Sequence, residues 1–351
     1  MTEGISMMPA TSAEAGVPTL ADGTAPTAAE AIALTPAGIT HRQLRIRGLQ
    51  VHAEIYGEGE PLLLHSGLWA EAALWRPLHP YLSGYQVIAF DPPGVGRSEM
   101  PARPPTMTGL ASVGAAVLDE LGIESAHVLG TSFGGAVAQQ MAVSYPRRVR
   151  RLVLVSTSFG GVSWPGNPLA YWLFMRPGTF EQPRLEQVAG TIFGGRLRTE
   201  PELVRSMQIR RPRGIQALLY RMAPLFGWTS LPWLWTIRQP TLLICGDDDP
   251  ITPHINHTLM TMMMRDARLY TVKGGGHLAL VDSPAQVVPV IADFLGAGRR
   301  SRPRPGSLHP ASGRRRDRAC AVPYPGSPRL TPTIPASNAL PGRTVHGCPP
   351  G

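Results

Sequence analysis

Residues 126–140 read AHVLGTSFGGAVAQQ, and the reading of this stretch decides the fold. A short apolar run, Ala126 to Gly130, passes through Gly130-Thr131-Ser132-Phe133-Gly134-Gly135 into Ala136 to Tyr145, which carries no helix breaker until Pro146. A strand therefore turns directly into a helix at Ser132. So tight a reversal forces strained dihedrals on the serine, and a side chain at either flanking position would collide with neighbouring backbone, which is why glycines stand there. Ser132 Oγ is thereby held clear of the chain, with the positive end of the following helix beside it. In a chain with 38 glycines the bare pattern G-x-S-x-G carries little weight; its place between a strand and a helix is what implies a serine nucleophile.

Outward from this turn, LRIRGLQVHAEIYG gives two short alternating runs about Gly48, followed by the apolar runs PLLLHSG, QVIAFD and RLVLVSTS. Helices are expected over Leu110 to Leu121 and Ala136 to Tyr145. After the insert described next, PTLLICGD and ARLYTV continue the strands, separated by a helix over Asn256 to Met264 and closed by one over Pro284 to Leu295. A hairpin followed by alternating strands and helices implies an α/β fold, a mainly parallel sheet with helices on both faces. Residues 161–235 break this alternation and hold five of the seven tryptophans, Trp164, Trp172, Trp228, Trp233 and Trp235. They are expected to form an inserted helical cap, leaving 41–160 and 236–297 as the core.

Composition bounds the partners. A 351-residue chain that is 43% hydrophobic and 16% charged suits one sizeable globular core. The net charge of +9 lies in the C-terminal stretch: residues 297–351 carry ten arginines against one acid, Asp317. The body is close to neutral, which removes the electrostatic footprint nucleic acid requires. Residues 1–40, rich in Ala, Thr, Pro and Gly, read as a flexible leader, and 298–351 as a disordered, basic, Pro-rich tail that cannot bury enough surface to offset its chain entropy. Cys245 sits in an apolar run while Cys320 and Cys348 are in the tail, so no disulfide framework is implied. No basic n-region precedes an apolar stretch, and no segment reaches the roughly 18 apolar residues of a membrane span. The expectation is a cytoplasmic protein without a transmembrane segment.

A serine hydroxyl needs an imidazole to take its proton and a carboxylate to hold that imidazole's tautomer. His277, in GGGHLALVDSP directly after the last strand, is the expected base. His309 and His346 fall in the tail, His41 and His52 in the early hairpin, and His254 and His257 at a helix start. The acid belongs on the loop after the preceding strand, where Asp247, Asp248 and Asp249 precede Pro250. Asp249 is preferred, the other two reading as loop or helix caps, with Asp282 as an outside candidate. The order Ser, Asp, His then follows along the chain. Two backbone N–H groups are needed for the oxyanion, one after the serine and one from the loop after the third strand; these map to Phe133 and Leu68. The loop Asp91 to Ser98 reads as a fold marker rather than a reagent.

These residues resemble one group within the α/β hydrolases, the intracellular depolymerases of medium-chain-length polyhydroxyalkanoates. The likeness runs from about Leu44 to Leu295, through VIAFDPPGVGRS, GGAVAQQMAVSYPRRVRRLVLVST and, above all, GWTSLPWLWTIRQPTLLICGDDDPITPHIN. It implies the α/β-hydrolase fold and hydrolysis of the ester between (R)-3-hydroxyacyl units of a cytoplasmic storage polyester at the granule surface, with the catalytic roles on Ser132, Asp249 and His277 and with no metal or organic cofactor. Phe133 stands where similar enzymes carry Trp, and Ser66-Gly67-Leu68-Trp69 where many relatives read HGxG. A Trp- and Leu-rich cap suits an acyl side chain or a hydrophobic granule. The alternatives are a 3-hydroxyacyl transferase between carrier protein and coenzyme A, a general carboxylesterase, and a non-catalytic binding module. A polymerase would carry cysteine, and a dehalogenase aspartate, at Ser132.

Overall fold

Eight strands form one sheet in the computed structural model, which describes residues 38–176, 178–205 and 220–296. They are β1 (Thr40–Ile46), β2 (Leu49–Tyr56), β3 (Glu60–His65), β4 (Tyr85–Phe90), β5 (Ala126–Thr131), β6 (Val149–Val155), β7 (Thr241–Gly246) and β8 (Ala267–Val272). Their spatial order is β1-β2-β4-β3-β5-β6-β7-β8. The first hairpin and the β2–β4 pair are antiparallel, and every other pairing is parallel. The leader up to residue 37 and the tail from 297 lie outside the described residues.

Successive side chains of a strand point to opposite faces, and this chain uses both. Leu63, Val128, Leu152, Leu154 and Leu243 enter one core cluster; their neighbours Leu62, Leu64, Leu129, Val153, Val155, Leu242 and Ile244 enter the other. The near-continuous apolar runs in the sequence are the signature of a sheet buried on both sides. On the first face lie α1 (Met107–Glu120) and α2 (Phe133–Ser144), contributing Leu110, Val117 and Met141. α1 starts three residues before the expected Leu110, because the Thr106 hydroxyl caps it by accepting from Gly109 N–H at 3.0 Å.

Between β6 and β7 the described part of the insert contains α3 (Pro168–Met175), α4 (Arg184–Phe193) and short 3₁₀ turns, among them Gly195–Arg198 and Leu234–Thr236. Leu185, Ile192, Phe193 and Leu197 pack with Leu74, Ile251 and Val281 from outside the insert, forming a third core cluster. Of the insert's tryptophans, Trp228 and Trp233 pack edge to face at 6.0 Å, while Trp164, Trp172 and Trp235 are 64%, 55% and 52% exposed.

After β7 come α5 (His254–Met263), α6 (Ala279–Asp282) and α7 (Pro284–Gly296). α7 covers the second face together with a 3₁₀ segment, Ala72–Tyr81, where the sequence gives no helical reading. Pro77 and Pro80 lack the N–H that an α-helix interior demands, so this stretch closes in tighter turns.

The strand order reverses at β3, which lies between β4 and β5. In an open parallel sheet the connections leave on opposite sides at such a point and open a crevice at the carboxyl ends of the strands. The loop carrying Leu68 leaves β3 there, and the turn carrying Ser132 leaves β5 beside it.

Candidate active site

Ser132 occupies φ 52°, ψ −120°, a left-handed region that a non-glycine residue enters only under constraint. The constraint is steric. A Cβ on Gly130 would run into the Gly134 carbonyl, and one on Gly134 into the His65 carbonyl. β3, β5 and the first turn of α2 thus touch backbone to backbone. The helix begins at Phe133, three residues earlier than the sequence implies, so the Phe133 N–H is among the first-turn donors without an intrahelical acceptor.

His277 stands in the loop after β8, its backbone N–H donating to the Phe193 carbonyl of α4 at 2.7 Å. Asp249 lies in the loop after β7. A Cβ on Gly246 would strike the Gly275 carbonyl, so these two loops also meet without intervening side chains. His277 Nδ1 is 2.9 Å from Asp249 Oδ2 and 3.1 Å from Oδ1, and His277 Nε2 is 2.9 Å from Ser132 Oγ. With Nδ1–H donating to the carboxylate, Nε2 is left as an acceptor for the serine hydroxyl.

The carboxylate is held from all sides. Oδ1 accepts from Ile251 N–H at 2.8 Å and Thr252 N–H at 2.9 Å, and Oδ2 from the Thr252 hydroxyl at 2.6 Å. Burial opposes ionisation of Asp249; its electrostatic attraction to His277 and the hydrogen bonds from His277 and Thr252 outweigh it, so the carboxyl stays below the usual range. The other acids face elsewhere. Asp248 pairs with Arg198 at 2.5 Å and accepts from Gly195 N–H, tying the acid loop to the insert. Asp247 accepts from Gly274 N–H at 2.7 Å. Asp282 is buried, its carboxyl raised by burial, and its Oδ1 accepts from the Ser283 hydroxyl.

Leu68 and Phe133 line one cleft, walled further by Pro92, Val95, Met100 and Leu110. A Cβ on Gly67 would lie 3.5 Å from Ser132 Cβ, which places this loop against the serine. Leu68 is the second residue of a turn closed by Ala70 N–H to Gly67 O, so that bond does not use its N–H. Ser66 Oγ accepts from Trp75 Nε1 at 2.7 Å. Asp91 accepts from Ala72 N–H at 2.7 Å and Arg97 N–H at 2.9 Å, so the loop first read as a fold marker also braces the segment that follows Leu68.

Three supports escaped the sequence reading. Trp69, at φ 68° and 1% exposed, stacks on Phe174 at 4.6 Å and meets Phe180 edge to face, fastening the Leu68 loop to the insert. Thr157 donates its hydroxyl to the Ser132 carbonyl at 2.7 Å, and its N–H donates to His257 Nε2 at 3.0 Å. Burial holds the His257 imidazole down to about 4, which keeps it neutral and able to accept. Only Trp69 left a trace in the sequence, as a bulky residue where a glycine is usual.

Among the described residues, His41, His52 and Glu54 come close enough to share a metal ion. Arg76 already donates to both Glu54 oxygens at 2.9 and 2.6 Å, supplying the positive charge a cation would bring. Cys245 is buried and its thiol is pushed up to about 12 by burial, so it is an inert core residue.

A family model of the alpha/beta hydrolase fold matches residues 60–284. The chain belongs to the α/β-hydrolase family. It is an ester hydrolase of that family. It is 40% identical over 253 residues to a poly(3-hydroxyalkanoate) depolymerase of Ectopseudomonas oleovorans, covering 70% of this chain and 89% of the relative. It is 29% identical to a 2-hydroxy-6-oxo-6-phenylhexa-2,4-dienoate hydrolase of Comamonas testosteroni, covering 70% and 91%. Among solved structures, a hydrolase from Pseudomonas aeruginosa superposes with a TM-score of 0.60 at 26% identity, over 74% of this hydrolase and 99% of that chain. No helix among the described residues is long and apolar enough to cross a membrane.

Proposed function

We propose that this hydrolase cleaves the ester bonds of an intracellular medium-chain-length poly(3-hydroxyalkanoate), in the cytoplasm at the storage-granule surface, with Ser132, His277 and Asp249 as its catalytic triad. The observation that carries the reading is the unbroken hydrogen-bonded chain from Ser132 Oγ through His277 to Asp249, beside an apolar cleft. The 40% identity to a polyhydroxyalkanoate depolymerase supports the choice of ester.

Ser132 Oγ gives its proton to His277 Nε2 as it attacks the carbonyl carbon. The N–H groups of Leu68 and Phe133 hold the oxyanion, aided by the N-terminus of α2. His277 then passes the proton to the departing hydroxyl, and water, deprotonated by the same imidazole, releases the acid. Asp249 keeps the imidazole in the required tautomer. Residues 161–235 act as the cap, supplying apolar walls, and the exposed Trp164, Trp172 and Trp235 suit contact with a hydrophobic granule.

The test is incubation of the purified hydrolase with polyester granules of short and of medium side chains, with the released acids identified. Release of medium-chain 3-hydroxy acids, lost in Ser132→Ala, is the expected result. Accumulation of a 3-hydroxyacyl thioester when coenzyme A is supplied would move the assignment to acyl transfer. Ester hydrolysis surviving in Ser132→Ala would overturn the triad.

A further inference from the structure

The cleft beside Ser132 is largely apolar, and among the described residues that line it one side chain is charged. Arg221 lines it together with Leu68 and Phe133, the two residues whose N–H groups are assigned above to the oxyanion. Arg221 Nη2 donates to the Gly94 carbonyl at 2.6 Å; its Nε and Nη1 are sealed from solvent and have no hydrogen-bond partner among the described residues. Burial lowers the guanidinium to about 10, with the charges of Glu71 and Asp91 offsetting it only in part. Asp91 is already committed through both oxygens to Ala72 and Arg97 N–H groups. Two buried guanidinium nitrogens without an acceptor are costly, and the group that satisfies them best is a carboxylate.

We infer that Arg221 binds the free carboxylate at the end of a hydroxyacyl ester chain, so that the enzyme removes terminal units in preference to cutting internal esters. The inference rests on polyester hydrolysis at Ser132 as proposed above. In a 3-hydroxy acid esterified through its hydroxyl, the carboxyl group lies two carbons from the ester oxygen. At an internal ester that position holds another neutral ester; only at the chain end does it carry charge. Ser132 Oγ bonds to the acyl carbon, and the bond from that carbon to the terminal unit's oxygen breaks. The terminal 3-hydroxyalkanoate departs with the proton from His277, its carboxylate held by Arg221. Water then splits the acyl-serine, its hydroxide going to the acyl group and its proton, by way of His277, to Ser132.

Two measurements test this. The first compares kcat/KM for the free-acid dimer of 3-hydroxydecanoate with that for its methyl ester, in the wild type, Arg221→Gln and Arg221→Lys. The wild type is expected to favour the acid by about 10- to 100-fold, mainly through KM; the Gln variant to bring the ratio near one; and the Lys variant to retain part of it. The second is calorimetric binding of 3-hydroxydecanoate and of its methyl ester, which needs no turnover. The acid is expected to bind more tightly to the wild type, and Arg221→Gln to remove that advantage. Equal losses on acid and ester, or no preference in the wild type, would overturn the role of Arg221. Selective binding of the acid with neither dimer cleaved would instead overturn the polyester reading and leave the carboxylate site standing.

Discussion

Replacing Asp249 by Asn tests the site at its most constrained atom pair. Two backbone donors, Ile251 N–H and Thr252 N–H, converge on Oδ1 at 2.8 and 2.9 Å and cannot turn away. An asparagine must therefore keep its single oxygen at that position and place its amide nitrogen where Oδ2 stood, facing His277 Nδ1 and the Thr252 hydroxyl. The hydroxyl can rotate and accept, but the imidazole can only offer Nδ1 as an acceptor, which moves its proton to Nε2. That nitrogen then donates to Ser132 Oγ, 2.9 Å away, and cannot take its proton. The expected cost is a 10³- to 10⁴-fold fall in kcat, about 4 to 5.5 kcal/mol of barrier. Steady-state kinetics on a soluble ester, with circular dichroism to confirm folding and the rate of fluorophosphonate labelling as a second readout, checks it. Asp248→Asn loses the ion pair with Arg198 and Asp247→Asn the ion pair with Lys273; each should change kcat by less than about tenfold. An Asp249→Asn enzyme keeping a tenth of its kcat, or an equal loss at Asp248, would refute the reasoning.

Acid should weaken the fold before it reaches the carboxylates. His65 and His257 are buried with imidazoles lowered by burial to about 4, whereas the unfolded chain protonates them near 6.5. Their contribution is complete above about pH 6.5 and is lost as pH falls toward 4, about 2 kcal/mol each by pH 5; the raised carboxyl of Asp282 works in the opposite sense. Urea unfolding at pH 8 and pH 5 reads the difference, and a flat profile would remove the assignment of neutral buried imidazoles. Gly134→Ala drives a methyl group into the His65 carbonyl and should lower the Tm and reduce kcat at least a hundredfold, while Gly161→Ala, where the nearest atom would be 3.9 Å away, serves as the tolerated control in the same thermal scans. Trp69→Ala empties a buried aromatic stack and should cost about 3 to 5 kcal/mol in chemical denaturation, with kcat falling more than KM rises if the Leu68 loop loosens; an intact kcat would separate that loop from oxyanion binding.

Much of the fold was legible because each element announces itself locally. The apolar runs of β3 to β8 and the glycines around Ser132 could be placed without coordinates. Helix starts were read late by two or three residues at α1, α2 and α5, since the first turn of a helix is set by its cap or by the preceding turn rather than by apolar spacing. The segment Ala72–Tyr81 gave no helical signal because its two prolines mask it. Among the three aspartates, only their hydrogen bonds separate them: Asp249 turns inward to His277, Asp248 to Arg198 and Asp247 to Gly274.

Taken alone, the amino-acid sequence determined the class of fold, the strand-to-helix turn at Ser132 and the candidates for base and acid. Each of these depends on residues adjacent in the chain, where a glycine or an apolar period acts through its own sterics and burial. The tertiary structure alone decided that Ser132, His277 and Asp249 lie within 3 Å steps of one another. It alone placed Thr157 and His257 behind the serine, fastened Trp69 to the insert, and put Arg221 in the wall of the same cleft with two of its N–H-bearing nitrogens unmatched among the described residues. Such contacts join residues up to 145 positions apart, and their distances follow from how a sheet stacks its loops at one edge, which no local rule encodes.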